Sequence, residues 1–254
     1  MPLGPWLRRL RGGRDPGPVT QMPPVSPDRP FYAVGDIHGR SDLLERLLER
    51  LDPRLPLVFL GDYVDRGEDS ATVLRRLQAL SADPDRTVIC LMGNHEDMLL
   101  QFLDTPEERA RSWLRNGGLQ TLAAFGVAGV TERSSGARAA RAAEELATAM
   151  GGPLVDWLRQ RPVLWQSGNV VAVHAGADPQ RAMTAQTRRA LLWGHPEMGA
   201  IARSDGLWLV HGHRIVSDPV AAHGVVSVDT GAYATGRLTA AHIAPGQVSF
   251  LTAV

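Results

Sequence analysis

The chain has 254 residues, enough for one large domain with a proper core. Its 27 basic and 27 acidic residues cancel, so no global field draws it to nucleic acid or to an anionic membrane. The single cysteine, Cys90, excludes an internal disulfide and suits a reducing compartment, and no apolar run is long enough to cross a bilayer. Residues 1–28 are rich in proline and glycine and lack the apolar segment of a secretory signal. They read as a disordered tail ahead of one domain, 29–254, and a cytoplasmic location follows. The "WLRRLR" inside that tail is too short to be a stable helix alone.

From residue 31 onward, short apolar runs alternate with helical periodicity. "FYAVGD" (31–36) predicts a strand, and "SDLLERLLERL" (41–51) an amphipathic helix that Ser41 or Asp42 can cap. "LPLVFLGD" (55–62), "DSATVLRRLQAL" (69–80) and "TVICLMGN" (87–94) continue as strand, helix and strand, with Cys90 a buried thiol. The alternation predicts a parallel sheet covered by helices. Residues 97–160 read as a helical insertion, broken at "NGG" (116–118). Strands resume at 170–176, 207–213 and 224–231, and an antiparallel pair, 238–244 and 247–254, closes the chain.

Five of these strands end in a cluster of glycine and metal-capable side chains. They are "VGDIHG" (Asp36, His38), "LGDYVDRG" (Asp62, Asp65, Arg66), "MGNHE" (Asn94, His95, Glu96), "VHAG" (His174) and "VHGH" (His211, His213). A single Gly-Asp after a strand is ordinary turn chemistry. Five such clusters at the same end of successive strands put the donors in the crevice where α/β sheets bind ligands. Crowded carboxylates repel unless cations neutralise them, and an oxygen-and-imidazole donor set suits manganese, iron or zinc. The pattern predicts two divalent ions sharing a carboxylate, a centre suited to displacement at phosphorus.

In this order, GDxHG (35–39), GDxxDRG (61–67), GNHE (93–96), a His-small-Gly turn (174–176) and a GH turn (212–213) resemble the phosphoprotein phosphatase family of calcineurin-like metallophosphoesterases. The resemblance covers residues 31–254 and implies an α/β (α+β) fold, a β-sandwich of two mixed sheets flanked by helices. It also implies site roles. Asp36 and His38 would hold one ion, probed first with Mn2+, and Asp62 would bridge both. Asn94, His174 and His213 would complete the other. A metal-bridging hydroxide would attack phosphorus while Arg66 and Asn94 bind the phosphate. His95 would protonate the leaving oxygen, oriented by Asp65, with Glu96 behind the loop.

Two departures stand out. Ile215 occupies the position where other metallophosphoesterases carry a second histidine, and "LLWGHPEM" offers Gly194 and His195 where relatives have a second phosphate-binding arginine. His195, or a neighbouring arginine such as Arg189, would take that role, and Tyr233 would line the leaving-group side. His211 reads as structural, and His223 and His242 as ordinary histidines. The spellings GNHE and GDYVDRG favour a serine/threonine protein phosphatase acting on phosphoprotein or phosphopeptide. The symmetrical bis(5'-nucleosyl)-tetraphosphatases, which tend to carry GNHD, are the alternative, and a non-catalytic scaffold is a remote third.

Overall fold

The computed structural model describes residues 22–254. The "WLRRLR" segment and the expected tail through residue 21 lie outside them. Residues 22–28 are not a free tail. Trp208 Nε1 donates to Pro23 O at 2.8 Å, Asn169 Nδ2 donates to Pro24 O at 3.0 Å, and Val25 is buried. An apolar side chain and several main-chain hydrogen bonds hold this stretch, which its proline content concealed.

The β–α alternation of the first half is present as β1 (Phe31–Val34), α1 (Ser41–Leu48), β2 (Leu57–Phe59), α2 (Ser70–Ala82) and β3 (Val88–Cys90). Neither predicted cap is used at α1. Ser41 Oγ donates to Asp69 at 2.5 Å, and the Asp42 carboxylate pairs with Arg40. A helical block follows: α3 (Asn94–Asp104), α4 (Pro106–Trp113), a π-turn at Leu114–Gly118, α5 (Leu119–Ala124), α6 (Gly136–Met150) and α7 (Gly152–Arg159). The second half comprises β4 (Leu164–Ser167), β5 (Val170–Val173), α8 (Arg188–Trp193), β6 (Trp208–His211), β7 (Val220–Ala222), β8 (Val225–Ser227), α9 (Ala232–Thr235), β9 (Leu238–Ala244) and β10 (Gln247–Ala253).

The strands form two five-stranded sheets, ordered β10-β9-β1-β2-β3 and β4-β5-β6-β8-β7. Only three neighbouring strands of each are parallel: β1, β2 and β3 in one, where β3 is the edge strand, and the central β5, β6 and β8 in the other. The single parallel sheet expected from alternation is therefore corrected to two mixed sheets, as the family resemblance implied. The reason is local. Gly168-Asn169, His223-Gly224 and Pro245-Gly246 each join two strands, and a two-residue connection permits only antiparallel pairing.

Strand residues alternate between two buried environments. Phe31 and Ala33 of β1 pack in the layer between the sheets, with Val170 and Ala172 of β5. Tyr32 and Val34 face the helices, where Leu43, Leu44 and Leu47 of α1 are fully buried. Each of those leucines contributes roughly 1.5–3 kcal/mol through burial. Val171, Val173 and Leu209 line the far face of the second sheet, under α8. With both sheets wedged in place, the carboxyl ends of all six parallel strands open at one edge. Among the described residues, no helix is long and apolar enough to cross a membrane.

Candidate metal centre and active site

The loops leaving β1, β2, β3, β5 and β6 carry the five predicted clusters, and a sixth loop, leaving β8, adds one more acid, Asp229. Among the described residues six non-glycines hold a left-handed φ. Five of them belong to the predicted site: His38 (45°), Asp62 (54°), Asp65 (70°), Arg66 (67°) and His213 (60°). Each costs of order 1 kcal/mol and persists only where neighbouring contacts impose it. Here Ile37 N and His38 N both donate to Asp62 O, at 3.0 and 2.9 Å, locking the first two loops together.

The donor atoms themselves test whether a cation fits. His38 Nδ1 donates to Val64 O at 2.7 Å and His174 Nδ1 donates to Leu60 O at 2.9 Å. Those bonds leave Nε2 of both rings with a bare lone pair. His38 Nε2 then lies 3.6 Å from Asp62 Oδ2, and His174 Nε2 lies 3.3 Å from Asp62 Oδ1 and 2.7 Å from Asn94 Oδ1. Acceptor facing acceptor is repulsive unless a cation sits between them. The two oxygens of one carboxylate face two different imidazoles, which is what a bridge between two ions requires. His213 joins the second set, its donor atom within 4.8 Å of those of Asp62 and His174. Asp36 lies beside His213, accepting its main-chain N–H at 3.0 Å, and Gly212 makes that approach possible because a Cβ there would overlap Asp36 Oδ1.

The charges say the same. Burial pushes Asp36 well up, helped by Asp229 and then Asp62, and burial with Glu96 pushes Asp62 up. Burial also holds His38 and His174 well below the usual imidazole range. A carboxylate raised in the folded state binds more protons there than in the unfolded chain, so stability is lost as pH rises toward the folded value. Above about pH 7.5 the depressed histidines are nearly all neutral in both states, and between about pH 7 and 7.5 they add only a small opposing slope. The metal-free protein is therefore expected to melt at a lower temperature at about pH 8.5 than at about pH 7. With divalent ions bound this fall should disappear. A melting temperature of the chelated protein that rises over that interval would contradict the arrangement.

Beside this centre, His95 Nδ1 shares a 2.7 Å hydrogen bond with Asp65 Oδ2. Trp113 Nε1 donates to the same carboxylate at 2.9 Å and Thr121 Oγ1 at 2.6 Å. Two other donors on Asp65 put the shared proton on Nδ1 and direct the His95 Nε2 lone pair outward. It points to Arg66 Nη2 at 3.3 Å and Asp62 Oδ2 at 3.9 Å. With a guanidinium already there, His95 is better placed for proton transfer than for metal. Burial, then Arg66, keeps its imidazole neutral. An arriving phosphate would reverse that balance by placing negative charge between the two side chains.

Trp113 and Thr121 come from the helical block, and the sequence reading missed both. That block also touches the 61–67 loop. Arg66 N donates to Gly117 O at 3.3 Å, and a Cβ on Gly117 (φ 103°) would meet Arg66 N at 2.6 Å. The predicted "NGG" break is thus where the helices turn to touch the 61–67 loop. Glu96 accepts from four main-chain N–H groups, Asp62, Tyr63, Val64 and Gly93, at 2.7–3.2 Å. It is fully buried, as is Tyr63, whose hydroxyl donates to Leu91 O at 2.6 Å. Asp229 carried a readable signal, an apolar run ending in Asp-Thr-Gly.

Two clefts flank the centre. One, of about 460 Å³, is lined by Arg40, Arg66 and Tyr233, where Arg66 Nη1 donates to the Tyr233 hydroxyl at 2.9 Å. The other, of about 360 Å³, is lined by Trp193, His195, Pro196, His213 and Arg214. His195 lies on its wall, Nε2 3.8 Å from Asp178 Oδ2 and Nδ1 accepting from Glu197 N at 3.4 Å. Arg189 is exposed on α8 and does not line this cleft. His211 is buried, sharing a hydrogen bond with Ser227 Oγ at 2.8 Å, as a structural residue would.

Two mixed sheets bearing a buried histidine–aspartate cluster at one edge define a metallophosphoesterase fold. The chain belongs to the calcineurin-like phosphoesterase family, whose profile matches residues 29–219. Its curated relatives include two proteins named symmetrical bis(5'-nucleosyl)-tetraphosphatase. The Dechloromonas aromatica protein is 32% identical over 163 residues, 63% of this chain and 48% of the relative. The Legionella pneumophila protein is 35% identical over 156 residues, 59% of this chain and 45% of the relative. The matched stretch spans less than half of either relative's length. Among solved structures, a candidate diadenosine tetraphosphatase superposes with a TM-score of 0.61 at 21% identity, covering 89% of this chain and 95% of that one. A Saccharomyces cerevisiae protein serine/threonine phosphatase superposes with 0.59 at 16%, covering 89% and 80%. At those identities the likeness is one of fold.

Proposed function

We propose that the chain is a metal-dependent hydrolase of dinucleoside polyphosphates, cutting symmetrical dinucleoside tetraphosphates at the centre into two nucleoside diphosphates. The observation that carries this reading is the similarity to proteins of that name at 32–35% identity. It supports this reading better than the serine/threonine phosphatase favoured by GNHE and GDYVDRG. Glu96 and Tyr63, the residues behind that preference, are buried beneath the loop and tied to main chain, so neither can touch a substrate. Clefts on both sides of the centre also suit a substrate with two arms.

In this reading Asp36, His38, Asp62, Asn94, His174 and His213 hold two divalent ions, which supply Lewis-acid activation of water and neutralise phosphate charge. The side chains do the rest. Arg66, oriented by Tyr233, presents its fork to phosphate oxygens. His95 carries a proton at Nε2 toward the leaving oxygen, and Asp65 with Trp113 and Thr121 fixes its ring.

A turnover panel with added manganese tests the reading against its rival, using diadenosine tetraphosphate, phosphoserine and phosphothreonine peptides, and a phosphodiester. Diadenosine tetraphosphate should give ADP as the sole nucleotide product at the highest kcat/KM. Preferred turnover of the phosphopeptides would restore the protein phosphatase reading.

A further inference from the structure

Trp193 ends α8 at the mouth of the 360 Å³ cleft and is 45% exposed, although Leu191 and Leu192 just before it are buried. Its indole lies 6.2 Å from the His213 ring, edge to face, so the flat apolar surface begins one side chain away from a metal-ligand candidate. Arg214, the next residue after His213, lines the same cleft. It is exposed, and its guanidinium has no hydrogen-bond or ion-pair partner among the described residues. An exposed aromatic beside an uncommitted cation leaves water on both surfaces, and each is suited to one half of a nucleotide. The π-face takes a base, and the fork takes a phosphate.

We propose that Trp193 and Arg214 form a nucleoside-phosphate subsite, the indole stacking on a nucleobase and the guanidinium gripping a phosphate of that same half. This rests on the dinucleoside polyphosphate reading and deepens it. Arg214 then takes the role of second phosphate-binding arginine, reaching the centre from the β6 loop instead of the α8 loop. His195, on the same wall, faces Asp178.

The test uses the manganese-loaded full chain with three substrates: diadenosine tetraphosphate, inorganic tetraphosphate and inorganic triphosphate. Trp193→Ala should raise KM for the dinucleotide about tenfold and leave both inorganic substrates unchanged, with Trp193→Phe recovering most of the loss. Arg214→Gln should raise KM for all three by about tenfold. Binding of a methylene-bridged, uncleavable diadenosine tetraphosphate, followed by calorimetry, should weaken in parallel. Both side chains are exposed, so circular dichroism should show an intact fold. Unchanged binding of the analogue to Trp193→Ala, or equal losses on dinucleotide and inorganic tetraphosphate, overturns the subsite. A parent that binds the analogue through Trp193 but fails to cleave diadenosine tetraphosphate upholds the subsite and overturns the functional reading instead.

Discussion

Replacing Asp62 with asparagine is expected to cost at least one metal ion per chain and to lower turnover by more than about a hundredfold. Removing a hydrogen-bond partner of a ligand already costs up to about that much, and Asp62 is proposed as the ligand common to both sites. Its two oxygens face His38 Nε2 at 3.6 Å and His174 Nε2 at 3.3 Å. An asparagine keeps the shape, removes the charge and offers an N–H where one imidazole needs a cation. The metal-free state should respond in the opposite sense. Burial and Glu96 push the Asp62 carboxylate up, so a neutral amide there relieves repulsion. Metal-free Asp62→Asn should therefore melt higher than metal-free parent at about pH 8. Elemental analysis that still finds two ions per chain would remove Asp62 from the centre.

The second large effect is His95→Asn. Metal content should be unchanged, because the outward nitrogen of His95 meets Arg66 and its other nitrogen is held by Asp65. Turnover of an alkyl phosphate, whose leaving group needs a proton, should fall by about 10²–10⁴-fold. The loss on p-nitrophenyl phosphate should be much smaller, since nitrophenolate departs without one. Diadenosine tetraphosphate, which releases a nucleoside diphosphate, should lie between them. Equal losses on the alkyl and nitrophenyl esters would mean that His95 does not deliver the proton. Trp113 and Thr121 explain why the helical block matters here. They hold the carboxylate that holds the imidazole, and neither need contact the substrate.

Much of this centre was legible in the sequence because each candidate ligand is tethered within a few residues of a strand end. An apolar run fixes where the loop starts, and the glycines beside it fix how sharply it turns. Asp36, His38, Asp62, Asn94, His95, His174 and His213 could therefore be named before any coordinates. Asp229 obeys the same rule after β8 and could have been named with them. The antiparallel closing pair β9–β10 was read from the sequence, whereas the edge strands β4 and β7, joined to their neighbours by equally short turns, were not. Other features had no local signal at all. Trp113 and Thr121 reach Asp65 across 48 and 56 residues, and only packing of the helical block brings them there. Trp193 and Arg214, 21 positions apart, share a cleft because α8 lies against the sheet that carries β6. Burial decided the rest. Sequence by itself determined which donor side chains stand at the strand ends, since tethering is a local property. Tertiary structure alone decided that Tyr63 faces the interior, its hydroxyl tied to Leu91 O, because which residues meet solvent depends on every layer packed around them.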